Sequence, residues 1–166
     1  MAKIKGFELK NVKTFRGHEG EELQQANVYY KGKKIGYYSQ DSWGGCDIFN
    51  IDYDISTELK EEIDNITNNY VGNIIFKKLD DLWRKEQNVG FEYDHIGYEY
   101  LFEDLLQLIY HEQLYKEYSK RYGENKIFIV YLNSFTLGVR NQNNLKNEEK
   151  KLTYFEYNGL EDFIIE

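Results

Sequence analysis

The sequence predicts an α+β fold in a single domain. Three observations carry that prediction. Residues 1–55 are rich in alternating and aromatic stretches separated by glycine turns. Residues 56–123 switch to apolar spacings of three and four, the helical period. Residues 124–166 return to short apolar runs, above all KIFIVYL at 126–132. Strands, then helices, then strands in a chain of 166 residues fit one core rather than two.

The first strand is expected over 4–12, where Ile4, Phe7, Leu9 and Val12 roughly alternate. TFRGHEGEEL follows as a polar loop. NVYYKGKKIGYY then reads as a hairpin turning at Lys31-Gly32-Lys33, because Gly32 can adopt the positive φ of a tight turn. Tyr29 and Tyr30 are expected to face Ile35, Tyr37 and Tyr38 across it, pairs that strengthen a sheet. QDSWGGC forms a corner bent at Gly44-Gly45 beside Trp43. In DIFNIDYDI, Phe49, Ile51 and Tyr53 share one parity, and Asp52 and Asp54 take the outward one. The N-terminal part is thus an antiparallel sheet of about four strands.

Ser56 or Thr57 caps the first helix, with Glu58, Glu61 and Glu62 in its first turns. Leu59, Ile63, Ile66 and Tyr70 form its stripe. Asn68-Asn69 and Gly72 interrupt it, and Ile75, Leu79, Leu82 and Trp83 resume the pattern, as a second helix or a kinked continuation. A long helix runs from about Gly97 to Tyr122, closed by Gly123. KIFIVYL reads as a buried central strand. FTLGV (135–139), LTYFEY (152–157) and the DFIIE tail read as further strands, the last two at an edge.

The chemistry is harder to place. Apolar residues make up 41% and aromatics 17%, including 16 Tyr and 10 Phe, which is too aromatic for a disordered chain. No run of about 18 apolar residues suggests a membrane span. The N-terminus has no apolar signal core, and Cys46 is the only cysteine, so a reducing cytoplasm is the expected setting. The net charge of −8 is uneven. Residues 1–40 carry eight Lys/Arg against four Glu. Residues 41–120 carry seven against eighteen Asp/Glu. Such an acidic middle repels phosphate and suits a basic partner. It also suits a plain solvated surface.

No enzyme motif stands out. His18, His95 and His111 show no metal-ligand spacing, and neither His-Glu pair belongs to HExxH. Asp41, Asp47, Asp52 and Asp54, with the acid-x-Lys triplet Glu8-Leu9-Lys10, are the residues a small metal-dependent nuclease would use. Such triplets arise by chance in a chain with 30% charged residues. Cys46 has no readable histidine partner, and neither G-x-S-x-G nor a phosphate-binding loop occurs. The residues call for no cofactor and no metal.

The acidic middle does contain a docking candidate. Glu92, Asp94, Glu99, Glu103 and Asp104 lie among tyrosines that include Tyr100. Tyrosine buries area at low entropic cost and is enriched at interfaces. Lys31, Lys33 and Lys34 on the hairpin and Trp43 at the corner are the remaining candidate contacts, and the lysines could meet nucleic acid directly.

Phe15-Arg16-Gly17-His18-Glu19-Gly20, followed by YYKGKKIGYYSQDSWGG, resembles a pattern in small proteins of phages, plasmids and other mobile elements. In these an F-x-G-x-E-G loop precedes a Y-x-G-K-K-x-G hairpin and a D-x-x-G-G corner. The match covers roughly residues 7–50. Small acidic proteins of this kind look like counter-defence factors, including anti-CRISPR proteins. The resemblance implies a non-enzymatic inhibitor of a host defence nuclease, such as the CRISPR effector Cas9, acting in the bacterial cytoplasm. It supplies no catalytic residues. A small metal-dependent nuclease or other nucleic-acid enzyme, and a phage structural or regulatory interaction protein, are the alternatives.

Overall fold

The computed structural model describes residues 1–90 and 95–166. Glu92 and Asp94, two of the residues singled out above, lie outside the described residues. The described residues form two antiparallel-dominated sheets with three helices between and around them, an α+β arrangement in one domain.

The first sheet has six strands rather than about four. They are β1 (Lys3–Ile4), β2 (Phe7–Arg16), β3 (Glu22–Tyr30), β4 (Lys33–Ser39), β5 (Ile48–Ile51) and β9 (Ile164–Ile165), in the order β5-β4-β3-β2-β1-β9. Two features enlarge it. Lys5 and Gly6 both take positive φ, 51° and 81°, so the expected first strand is folded into a tiny hairpin, β1 and β2. The chain's end then returns to lie parallel to β1, pairing Lys3 with Ile164. β2 also runs on to Arg16, through residues that looked like loop.

The β3–β4 hairpin turns on two residues, Lys31 (φ 48°) and Gly32 (φ 82°). Tyr29 and Tyr30 therefore face Lys34 and Lys33, while Tyr37 and Tyr38 face Asn27 and Ala26. The register shifts between Val28 and Tyr29, and Ile35 is the extra residue. This is why Ile35 and Tyr38 are both buried although their parities differ. Gly36 is required here, because a Cβ at that position would lie 2.0 Å from the Asn50 carbonyl oxygen.

The helices are α1 (Thr57–Asn68), α2 (Phe76–Gln87) and α3 (Tyr98–Tyr122). Ser56 caps α1, its Oγ accepting from the Leu59 amide at 3.3 Å. α2 is a separate helix. Gly123 ends α3 at φ 68°. No described helix is long and apolar enough to cross a membrane.

The second sheet is β7 (Leu137–Asn141), β6 (Ile127–Tyr131) and β8 (Thr153–Tyr157), in the order β7-β6-β8, with the wholly buried β6 at its centre. α3 packs against strands of both sheets, which is why it is buried on more than one side. Toward the first sheet, Phe102 meets Tyr38 at 4.6 Å, Phe49 at 4.9 Å and Phe7 at 6.3 Å between ring centroids. Toward the second, the His111 ring meets Phe155 at 5.0 Å. Truncating a ring such as Phe102 to alanine in a core like this costs about 3–5 kcal/mol.

Candidate functional site

The β4–β5 corner is built by its own aspartates. Asp41 Oδ2 accepts from the Trp43 amide at 3.0 Å and the Gly45 amide at 2.6 Å, and Gly44 takes φ 74°. Asp47 Oδ1 accepts from the Asp41 amide at 3.1 Å, and its Oδ2 accepts from the Tyr38 hydroxyl. Trp43 is 74% exposed as a residue, and its ring stacks on His18, with centroids 3.9 Å apart. The F-x-G-x-E-G loop and the D-x-x-G-G corner, distant in sequence, therefore stand together at one end of the sheet. The hairpin lysines lie at the other end, since β3 separates the two turns.

The acids of α3 face inward to different degrees. Glu99, half-buried, accepts from the Asp47 amide at 2.8 Å, and the Tyr98 hydroxyl reaches the Asp47 carbonyl at 2.6 Å. These bonds tie the corner to the first turn of α3. Glu103, also half-buried, accepts from the Gln40 side-chain amide. Burial pushes its carboxyl up to about 7. The Gln40 bond opposes that shift, and the charges of Asp47, Asp104 and Glu99 add to it. Glu103 lines a groove of about 620 Å³ between β2, β3 and α3.

Asp104 has no exposed surface at all. Its carboxylate accepts from the Tyr70 hydroxyl at 2.7 Å and from the Ile75 and Phe76 amides at 2.8 and 2.7 Å. It caps α2 from a neighbouring helix, satisfying amides that have no partner inside α2. Burial, with the Asp104 charge beside it, pushes the Tyr70 phenol up. Asp104 thus offers nothing to a docking partner. Tyr100 packs near Phe76 and His95, with ring centroids 5.6 and 5.2 Å away. Of the α3 residues singled out above, only Asp104 is fully buried, while Glu99, Tyr100 and Glu103 are half-buried and engaged by neighbouring side chains or backbone.

The freely exposed acids sit elsewhere. Between β5 and the middle of α1, residues 52–64 carry six acids against Lys60 alone. Asp54, Glu58 and Glu61 are exposed. Tyr53 projects entirely into solvent. Its parity with Phe49 and Ile51 suggested an inward position, but β5 ends at Ile51 and the chain turns. Glu62, next on the same helix, accepts from Lys31 Nζ and from the Tyr30 hydroxyl, each at 2.7 Å. The acidic ridge is thereby fastened to the basic hairpin. Lys33 and Lys34 are exposed beside it. Sequence reasoning singled out the acids of α3 and did not single out this ridge. The local acid excess of residues 52–64 was the available signal.

Of the residues a metal-dependent nuclease would use, Asp41 and Asp47 share the β4–β5 corner, and Glu8 lies on β2. Glu8 is buried and pairs with Lys3 at 3.1 Å and Lys10 at 3.7 Å. His18 stacks on Trp43, His95 Nε2 lies 2.9 Å from Asp80, and His111 is deep in the core. Among the described residues, no group of three or more His, Cys, Asp or Glu side chains is arranged to hold a metal ion. Cys46 is free and exposed.

No protein family, curated protein or solved structure matches this chain at a significant level.

Proposed function

We propose that this is a non-enzymatic mobile-element protein that binds and inhibits a host defence nuclease, a CRISPR effector such as Cas9, in the bacterial cytoplasm. The observation that carries the docking part is the ridge of Asp54, Glu58 and Glu61 with the fully exposed Tyr53 at its start. Carboxylates on a helix present negative charge at spacings that a basic nucleic-acid channel can receive. The solvent-exposed tyrosine beside them is of a type enriched among the residues that anchor interfaces. The partner class is supported by the likeness of residues 7–50 to mobile-element proteins. The hairpin lysines Lys33 and Lys34, adjoining the ridge, can reach a guide or target strand at the rim of the same channel.

Titration against a guide-loaded effector tests this reading. Plasmid cleavage should be blocked near one-to-one stoichiometry. The triple reversal Asp54→Lys/Glu58→Lys/Glu61→Lys should abolish the block, while Glu99→Gln should leave it largely intact. Divalent-dependent cleavage of DNA by the protein alone would instead establish the nuclease reading.

A further inference from the structure

A second surface has the opposite character. α2 and the start of β8 enclose a groove of about 480 Å³. Leu82, Leu132, Leu152 and Tyr154 supply apolar wall, and Leu132, Leu152 and Tyr154 are exposed. Three lysines line it as well: Lys78, Lys85 and Lys151. None of the three forms an ion pair with a described residue, although the chain holds 29 acids against 21 Lys/Arg. Asp81, the one acid in the lining, is engaged by Lys77 at 2.8 Å. Lys78 instead lies over the Phe155 ring, 5.0 Å from its centroid.

We infer that this groove is a docking site for an extended acidic peptide segment of a protein partner, one carrying aliphatic or aromatic side chains between its carboxylates. Three cations with no ion pair among the described residues, around an apolar floor in an acidic protein, are complementary to that chemistry. Three leucines line the groove beside Tyr131 and Tyr154, and of the two rings only Tyr154 is exposed, so the groove offers one aromatic face rather than the row of faces that successive bases stack on, and a peptide fits better than single-stranded nucleic acid. β8 is the outer strand of its sheet, hydrogen-bonded to a neighbouring strand on one side alone. The site lies on α2, the end of β6 and the start of β8, shares no residue with the ridge on α1, and goes beyond the inhibitory reading. A protein with both surfaces can hold a basic and an acidic partner at once.

The test uses the whole protein and a fluorescent peptide of about twelve residues, long enough to span a strand, alternating Glu or Asp with Leu and Phe. The expected result is saturable binding by anisotropy that weakens with added salt. Affinity should fall at least about tenfold in Lys78→Glu/Lys85→Glu/Lys151→Glu. Leu152→Ser, which keeps all three charges, should weaken it as well. Thermal unfolding of each variant establishes that it is folded. Absence of binding, or equal binding by wild type and the lysine variant, overturns the proposal. So does tighter binding of an oligo-dT probe, which would mark a phosphate site. Self-association that the lysine variant abolishes would overturn it in favour of a second copy of this chain.

Discussion

His111 gives the sharpest quantitative expectation. It lies on α3 with no solvent exposure. Its Nδ1 is 2.7 Å from the Tyr157 hydroxyl and its Nε2 is 2.9 Å from the Tyr131 hydroxyl. A neutral imidazole satisfies this arrangement, one nitrogen donating and the other accepting. Burial pushes both phenols up, so they remain protonated and able to serve as either partner. The same burial pushes the His111 pKa down to about 3 from its ordinary 6.5. Between those values the unfolded chain carries a proton that the folded chain excludes. The contribution to stability is complete above about pH 6.5 and is lost progressively as pH falls toward 3. At pH 4.5 the loss is on the order of 2–3 kcal/mol, at about 1.4 kcal/mol per pH unit. Urea unfolding of wild type and His111→Gln at pH 7 and pH 4.5 measures it. Glutamine keeps a donor and an acceptor but cannot titrate. Wild type should lose 2–3 kcal/mol more than the variant between the two pH values, roughly 4–12 °C in melting temperature for a domain of this size. Carboxylates common to both proteins cancel in the difference. Equal losses would refute the claim that His111 is held neutral.

Two further outcomes follow from α3. Asp104→Ala should destabilise by about 3–4 kcal/mol, because the buried Ile75 amide, the half-buried Phe76 amide and the buried Tyr70 hydroxyl lose their acceptor together. A chemical-denaturation loss below about 1 kcal/mol would show that α2 needs no such cap. Glu103 has the opposite pH sense to His111. Its folded pKa, about 7, lies above its ordinary 4.5, so its contribution is present at low pH and is lost as pH rises through 7. Glu103→Gln should therefore gain on wild type from pH 4.5 to pH 8, by on the order of 1–2 kcal/mol after allowance for partial solvent screening. A stability difference that does not change with pH would contradict that.

Local structure was legible where one short signal decided it. Ser56 and Gly123 mark helix ends, Gly32 marks a turn, and the unbroken apolar run of KIFIVYL marks a central strand. Pairings between distant segments were not legible. Nothing in Ile164-Ile165 says that it lies parallel to Lys3-Ile4, since register across the whole chain is set by packing and not by local pattern. The α3 acids show a different limit. Leu101, Asp104, Leu105, Leu108, His111, Glu112 and Tyr115 recur at spacings of one, three and four, and all are buried. The helical period itself placed Asp104 in the core stripe, but its charge suggested the surface. A buried aspartate becomes intelligible only once the α2 amides it caps are in view. Tyr53 failed in the reverse sense, because a period of two extrapolates past the end of a strand that stops at Ile51.

The most direct test of the central claim is a Cas9 plasmid-cleavage titration with wild type and the Asp54→Lys/Glu58→Lys/Glu61→Lys variant side by side. Wild type should protect near one equivalent, and the folded variant should give no protection. Cleavage unaffected by wild type, or protection unchanged in the variant, would contradict that claim.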